Sequence, residues 1–136
     1  MKYILDSDTV IYFLKGVDSV VNKMATLDVA NNYTTSINQA ELYYGAANSQ
    51  KVKANLSTIG SFLLNVGIKN FDHLAAKEYG HIKSSLKAEG KLIADMDICI
   101  AAITKVNKMI LVTNNSKDFE RIDGLTIENW IDRKWN

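Results

Sequence analysis

Asp6, Glu41 and Asp97 are acids with no basic residue in their immediate sequence motifs, and they stand far apart along the chain. If folding gathers them, their mutual repulsion becomes the dominant local energy. Two carboxylates about 5 Å apart repel by roughly 3 kcal/mol at an effective dielectric of 20, so three approach about 10 kcal/mol. A whole domain is stable by only about 5–15 kcal/mol. Either such acids titrate upward or a cation joins them. Oxygen ligands without histidine or thiolate select a hard ion, and an open, hydrated carboxylate pocket suits Mg²⁺, with Mn²⁺ as a substitute. An ion so held can orient an attacking water, lower its pKa and stabilise the leaving oxygen of a phosphodiester.

The elements around these acids predict their convergence. Short apolar runs bounded by polar residues read as buried strands over Tyr3–Leu5, Tyr33–Ile37, Ile68–Phe71, Met109–Thr113 and Leu125–Ile127. Helical patterns fill the intervals: Thr9–Lys15, Val17–Leu27, Gln39–Asn48, Lys51–Val66, Asp72–Glu89 and Ile98–Asn107. This alternation predicts an α/β fold, a mostly parallel sheet covered by helices on both faces. Asp6 then ends the first strand, Glu41 follows the second in the first turn of a helix, and Asp95 and Asp97 immediately precede another helix. Asn114 and Asn115 follow the fourth strand. Parallel strands place all their carboxyl ends on one side, where open α/β sheets bind ligands. Asp95 and Asp97 are two apart, about 200° around a helix, so if both are helical only one can face a shared ion.

A length of 136 residues predicts one domain over 1–136, and 47% hydrophobic residues suffice for its core. The net charge of +1 gives no global field, so a nucleic-acid partner must be held by a local patch. Cys99 is the only cysteine, which excludes an internal disulfide and suits a reducing interior. Between Ile98 and Ile100 it reads as a buried small hydrophobe. Asp6 and Asp8 interrupt the first apolar stretch before it reaches secretory length, and no run is long enough for a membrane span. These features predict a soluble cytoplasmic protein without membrane association.

Three segments carry a family resemblance. "YILDSDTVIYFLKG", "TTSINQAELYYGA" and "GKLIADMDICIAAITKVNKMILVTNNSKDFERIDGLTIENW", in that order, resemble the PIN-domain ribonucleases, specifically the VapC-type toxins of toxin–antitoxin pairs. The resemblance implies a three-layer PIN-like fold with a central sheet of about five strands, and a Mg²⁺-dependent endoribonuclease. Asp6, Glu41 and Asp97 match the family's three catalytic acids, with Asp6 and Asp97 as the metal ligands. Asn115 falls at a fourth polar position, where many members carry aspartate; its amide implies weaker metal binding. Asp8, Leu92 and Ala94 stand where asparagine, proline and glycine are frequent. The implied partners are an RNA substrate, a cognate small antitoxin that covers the groove, and a second copy in a homodimer.

Competing readings attach to several residues. Asp97 also fits a helix N-cap, Asp95 a cap or solvated acid, Asn115 a turn former and Asp118 a local cap. Thr113, Ser116 and Ser7 are candidate hydroxyl contacts to substrate phosphate. His73 and His81 lack metal-spaced partners and read as structural. Lys83, Lys87 and Lys91 recur every fourth residue, as a solvated face or as phosphate contacts. Tyr12, Phe13, Tyr43 and Tyr44 read as core or interface residues, with one of the tyrosines a candidate to line the RNA path. "DSDTV" also fits the opening motif of haloacid-dehalogenase-type phosphatases, with Asp6 as nucleophile, but that reading leaves Glu41 and Asp97 idle. A non-catalytic protein-binding module is the third reading.

Overall fold

The structure is a computed structural model that describes residues 1–131. The last five positions of the expected 1–136 unit lie outside the described residues. Five strands, β1 (Tyr3–Leu5), β2 (Asn32–Thr35), β3 (Gly67–Lys69), β4 (Ile110–Val112) and β5 (Thr126–Glu128), form one sheet in the order β3-β2-β1-β4-β5. Every neighbouring pair is parallel. The expected parallel α/β sheet of about five strands is therefore present.

Alternation along the central strands divides the apolar residues between two cores. Tyr3 and Leu5 of β1, with Ile110 and Val112 of β4, enter one cluster with Val10, Leu42 and Phe62. Ile4 and Leu111 point the opposite way and join Ile82, Leu86, Ile98 and Phe119. Helices α1 (Ser7–Leu14), α2 (Asp18–Ala25), α3 (Ser36–Ala47) and α4 (Val52–Leu63) supply the first layer. Helices α5 (His73–Ala88), α6 (Asp95–Val106) and α7 (Ser116–Phe119) supply the second. Ile4 and Leu111 are both 0% exposed, and truncating either to alanine costs about 2–5 kcal/mol.

Two boundaries near the acids and two short elements differ from expectation. The second strand stops at Thr35 because its hydroxyl accepts from Asn38 N–H and caps α3, overriding the β-forming character of Ile37. Helix α6 starts at Asp95, so Asp95 and Asp97 lie in its first turn, where acidic side chains complement the helix dipole. Helix α7 is only four residues long, too short for periodicity to reveal, as is the three-residue 3₁₀ turn Val29–Asn31. Among the described residues no helix is long and apolar enough to cross a membrane.

Candidate active site

The chain leaves β1 towards β2 on one side and later returns to lay β4 on the other, so the strand order reverses between β1 and β4. A crevice forms beyond the carboxyl ends of such a pair. Asp6 stands there as the N-cap of α1, 6% exposed, its own N–H donating to Val112 O at 2.9 Å. Ser7 N–H and the Asn38 Nδ2 amide each donate to Asp6 Oδ1 at 2.9 Å. The Thr113 hydroxyl donates to Asp6 Oδ2 at 2.7 Å. A carboxylate accepts about four hydrogen bonds, so roughly one position, on Oδ2, is left for anything else.

Glu41 comes from one turn into α3. Ser7 Oγ donates to its Oε1 at 2.8 Å, and Asn38 Nδ2 lies 3.4 Å from the same oxygen. No hydrogen bond reaches Oε2 from the described residues. Asn38 is thus the junction of the site: fully buried, it also donates to Ser7 Oγ at 2.9 Å and accepts from Thr35 Oγ1 at 2.7 Å. It was not among the residues expected from sequence. Its signal was its position three residues before Glu41, which puts both on one helical face.

Asp97 is half-buried and approaches from α6. Its pKa is raised from 3.8 to about 6, first by burial and then by the charges of Asp6, Glu41, Asp118 and Asp8. Five acids from four segments therefore share one electrostatic neighbourhood. Asp8 rises to about 6 as well, by burial and by Asp6, while N–H groups of Asn114 and Thr9 oppose the shift. Burial followed by Asp6 raises Glu41, against the Ser7 and Asn38 hydrogen bonds.

The other candidates separate clearly. Asp97 is not a cap, because the N-cap of α6 is Ala94. Asp95 faces away: Lys83 Nζ at 2.8 Å and the Tyr79 hydroxyl at 3.1 Å both donate to it, and they hold its pKa low. Asn115 caps α7 by position, donates Nδ2 to Asp118 Oδ2 at 3.2 Å, and donates its N–H to Thr113 Oγ1 at 3.0 Å. It reaches Asp6 through Thr113. Asp118 is not a cap, and its charge reaches Asp97.

Several expectations need correction. The hydroxyls of Thr113 and Ser7 are committed to Asp6 and Glu41, and Thr113 is fully buried, so both organise the acids instead of facing substrate. Cys99 is only partly buried, because its position on α6 turns it away from the core that Ile98 and Ile100 enter. The lysine stripe is broken: Lys83 is paired with Asp95, and Gly90, at φ +68°, turns the chain so that Lys91 leaves the helix. His73 and His81 are exposed on α5 outside the crevice. Tyr12 and Phe13 pack on the first core, whereas Tyr43 and Tyr44 are exposed.

The donor set suits a hard divalent ion: carboxylate oxygens, with no imidazole or thiolate beside them. Among the described residues no group of three or more acids, histidines or cysteines stands close enough to hold a metal ion by itself. Mg²⁺ does not require one, because it retains several waters and binds through one or two carboxylates. The open acceptor position of Asp6 and the carboxylate of Asp97, which accepts no hydrogen bond among the described residues, fit that demand.

Known proteins resemble this chain over nearly its whole length. The PIN domain family model matches residues 3–125. Ribonuclease VapC2 of Haemophilus influenzae is 37% identical over 96% of this chain and 99% of its own length. The tRNA(fMet)-specific endonuclease VapC of Shigella flexneri is 32% identical over 96% of this chain and 98% of its own. The crystal structure of VapBC2 from Rickettsia felis, bound to a promoter DNA fragment, contains a chain that superposes with a TM-score of 0.89. That chain is 35% identical, over 96% of this chain and all of that one.

Proposed function

Because the chain belongs to the PIN-domain family, among the VapC ribonucleases, we propose that it is the toxin of a toxin–antitoxin pair, a Mg²⁺-dependent endoribonuclease. The observation that carries this reading is the gathering of acids at Asp97, where burial first and then the charges of four other acids raise one carboxyl to a pKa of about 6. The family as a whole depends on divalent metal; Mg²⁺ is the ion assigned here, with Mn²⁺ able to replace it. Family membership overturns the phosphatase reading, in which Asp6 would be a nucleophile and Glu41 and Asp97 would have no task.

Asp6 and Asp97 are the residues that would hold the ion. When bound, it neutralises the carboxylates and the charge that develops on a phosphodiester. Glu41 orients the attacking water or takes a proton from it: among the described residues no donor reaches its Oε2, and its raised pKa strengthens it as a base. Ser7 and Asn38 fix Oε1 so that Oε2 is the reacting atom. Thr113 and Asn115 keep Asp6 oriented. Hydrolysis by this route leaves a 5′-phosphate and a 3′-hydroxyl, since among the described residues no histidine or lysine pair stands at the acids for 2′-hydroxyl chemistry.

The proposed unit is one nuclease domain over 1–136, acting on RNA and silenced by a small antitoxin. Support for the antitoxin comes from relatives crystallised as VapBC complexes, from Rickettsia felis and Salmonella typhimurium. A groove of about 550 Å³ also opens beside Ser7 and Glu41, floored by Ile11, Leu14, Ala46 and Ile59. An apolar helix face fits such a groove. A homodimer and a cytoplasmic location complete the proposal.

Incubation with labelled RNA tests it. Cleavage with Mg²⁺, its loss in EDTA and in Asp6→Asn, and 5′-phosphate ends are the expected results. A 2′,3′-cyclic phosphate product would overturn the hydrolytic route. Absence of cleavage under every metal would favour a pure binding module.

A further inference from the structure

An acidic crevice repels the polyanion it is meant to cut, so the cations that hold RNA must sit beside the acids, on elements that share their framework. Among the described residues, a surface with three cations together meets this description. Lys91, Lys117 and Arg121, with Gly90 and Glu120, line an open depression of about 420 Å³ where the α5–α6 connection meets α7. Its two walls are the segments that lead directly into the candidate acids. The first runs on to Asp97, and the second carries Asn115 and Asp118.

Arg121 binds those walls together. Its Nη1 donates to Leu92 O at 3.2 Å and Lys91 O at 3.4 Å, and its Nη2 lies 3.8 Å from Asp118 Oδ1. Asp118 in turn accepts from Asn115 at 3.2 Å. The depression is therefore fixed relative to the crevice by a continuous set of contacts. Its charges are also available. Among the described residues Lys117 has no ion-pair partner, and Lys91 has only Glu89 at 3.8 Å, with both side chains more than half exposed. Such an exposed contact holds a lysine weakly.

We propose that this depression is a docking site for the phosphate backbone of the RNA substrate, with Lys91 and Lys117 each contacting a phosphate away from the bond that is cut. This deepens the nuclease reading and rests on it. Arg121 is the rigid support, and its guanidinium adds positive charge without leaving its carbonyl partners. Each phosphate contact releases condensed counterions, so binding through the patch carries a defined salt dependence.

The test compares wild type with a Lys91→Gln/Lys117→Gln double variant and with Lys117→Glu. Affinity for a labelled mixed-sequence single-stranded RNA is measured in EDTA across a salt series, and KM and kcat for RNA cleavage are measured in Mg²⁺. Loss of two contacts should reduce the magnitude of the slope of log K against log salt by about 1.4, which amounts to roughly 25-fold weaker binding at 0.1 M salt. KM should rise with kcat unchanged, and Lys117→Glu should exceed a single neutralisation. Wild-type slope and KM in the double variant would overturn the proposal while leaving wild-type cleavage, and so the nuclease reading, intact. If RNA binding persists while binding to polyglutamate is lost, the patch serves an acidic protein and the proposal is wrong. A wild-type protein that neither binds nor cuts RNA in Mg²⁺ sinks both readings together.

Discussion

Thr113 and Asp6, 107 positions apart in sequence, meet in the buried floor of the crevice, where the threonine hydroxyl donates to Asp6 Oδ2 at 2.7 Å. This contact ties the end of β4 to the end of β1. It also occupies part of a carboxylate that the proposed mechanism needs.

Thr113→Val keeps the shape and removes the donor. A hydrogen bond to a charged, buried acceptor contributes about 1.5–3 kcal/mol, and urea unfolding in EDTA should register that loss. Thr113→Ser should recover most of it. A valine variant as stable as wild type would mean that Asp6 draws nothing from this bond.

Asn38→Ala removes the donor shared by Asp6, Ser7 and Glu41. The helix should persist, since alanine favours it, but the two acids lose their common brace. Groups of this kind around a metal site typically change affinity or activity about 10–100-fold when removed. Steady-state cleavage and Mg²⁺ titration of the variant would measure this. Wild-type values in both would show that Asn38 serves packing alone.

The pKa shifts fix the sign of the pH dependence. Asp97 and Asp8 titrate near 6 in the folded protein against 3.8 for a free carboxyl, and Glu41 shifts the same way. Between about pH 4 and 6 the folded state binds more protons than the unfolded chain, so stability falls as pH rises through that window. Below it both states are protonated, and above it both are ionised, so the slope vanishes. Mg²⁺ added at pH 7 should return the lost stability, and Asp97→Asn should flatten the curve in EDTA. Unfolding midpoints that rise from pH 4 to 6 without metal would contradict the convergence of the acids.

Two neighbours on α6 should behave as opposites. Asp97→Asn is expected to lower RNA cleavage by about a hundredfold or more, as loss of a ligand at the ion would. Asp95→Asn removes an exposed partner of Lys83 and should leave the rate within about twofold. Equal losses from the two would mean that Asp95 also reaches the site.

Much of this geometry could be read from the residues themselves. Tyr3-Ile-Leu5 announces a strand buried on both faces, and Asp6 after it can lie only at the sheet's carboxyl edge. Helical phase separates Asp95 from Asp97 once both are helical, but the apolar periodicity begins only at Ile98, three residues after the helix does. Acids in a first turn are themselves a start signal. The shared helical face of Asn38 and Glu41 emerges only once the helix is known to start at Ser36, ahead of Asn38, and the role of Asn38 depends on contacts 31 and 32 residues away. The same holds for the hydroxyls of Ser7 and Thr113, whose partners are chosen by the tertiary fold.

The two cores on either face of the sheet have a further effect. Glu41 rides on a helix seated in one core, through Leu42 and Ala46, and Asp97 on a helix seated in the other, through Ile98 and Ile100. The gap between these carboxylates is therefore a caliper across the thickness of the molecule. A methyl group added or lost deep inside either layer changes the setting of its jaws, so substitutions that never touch the crevice can still detune its chemistry.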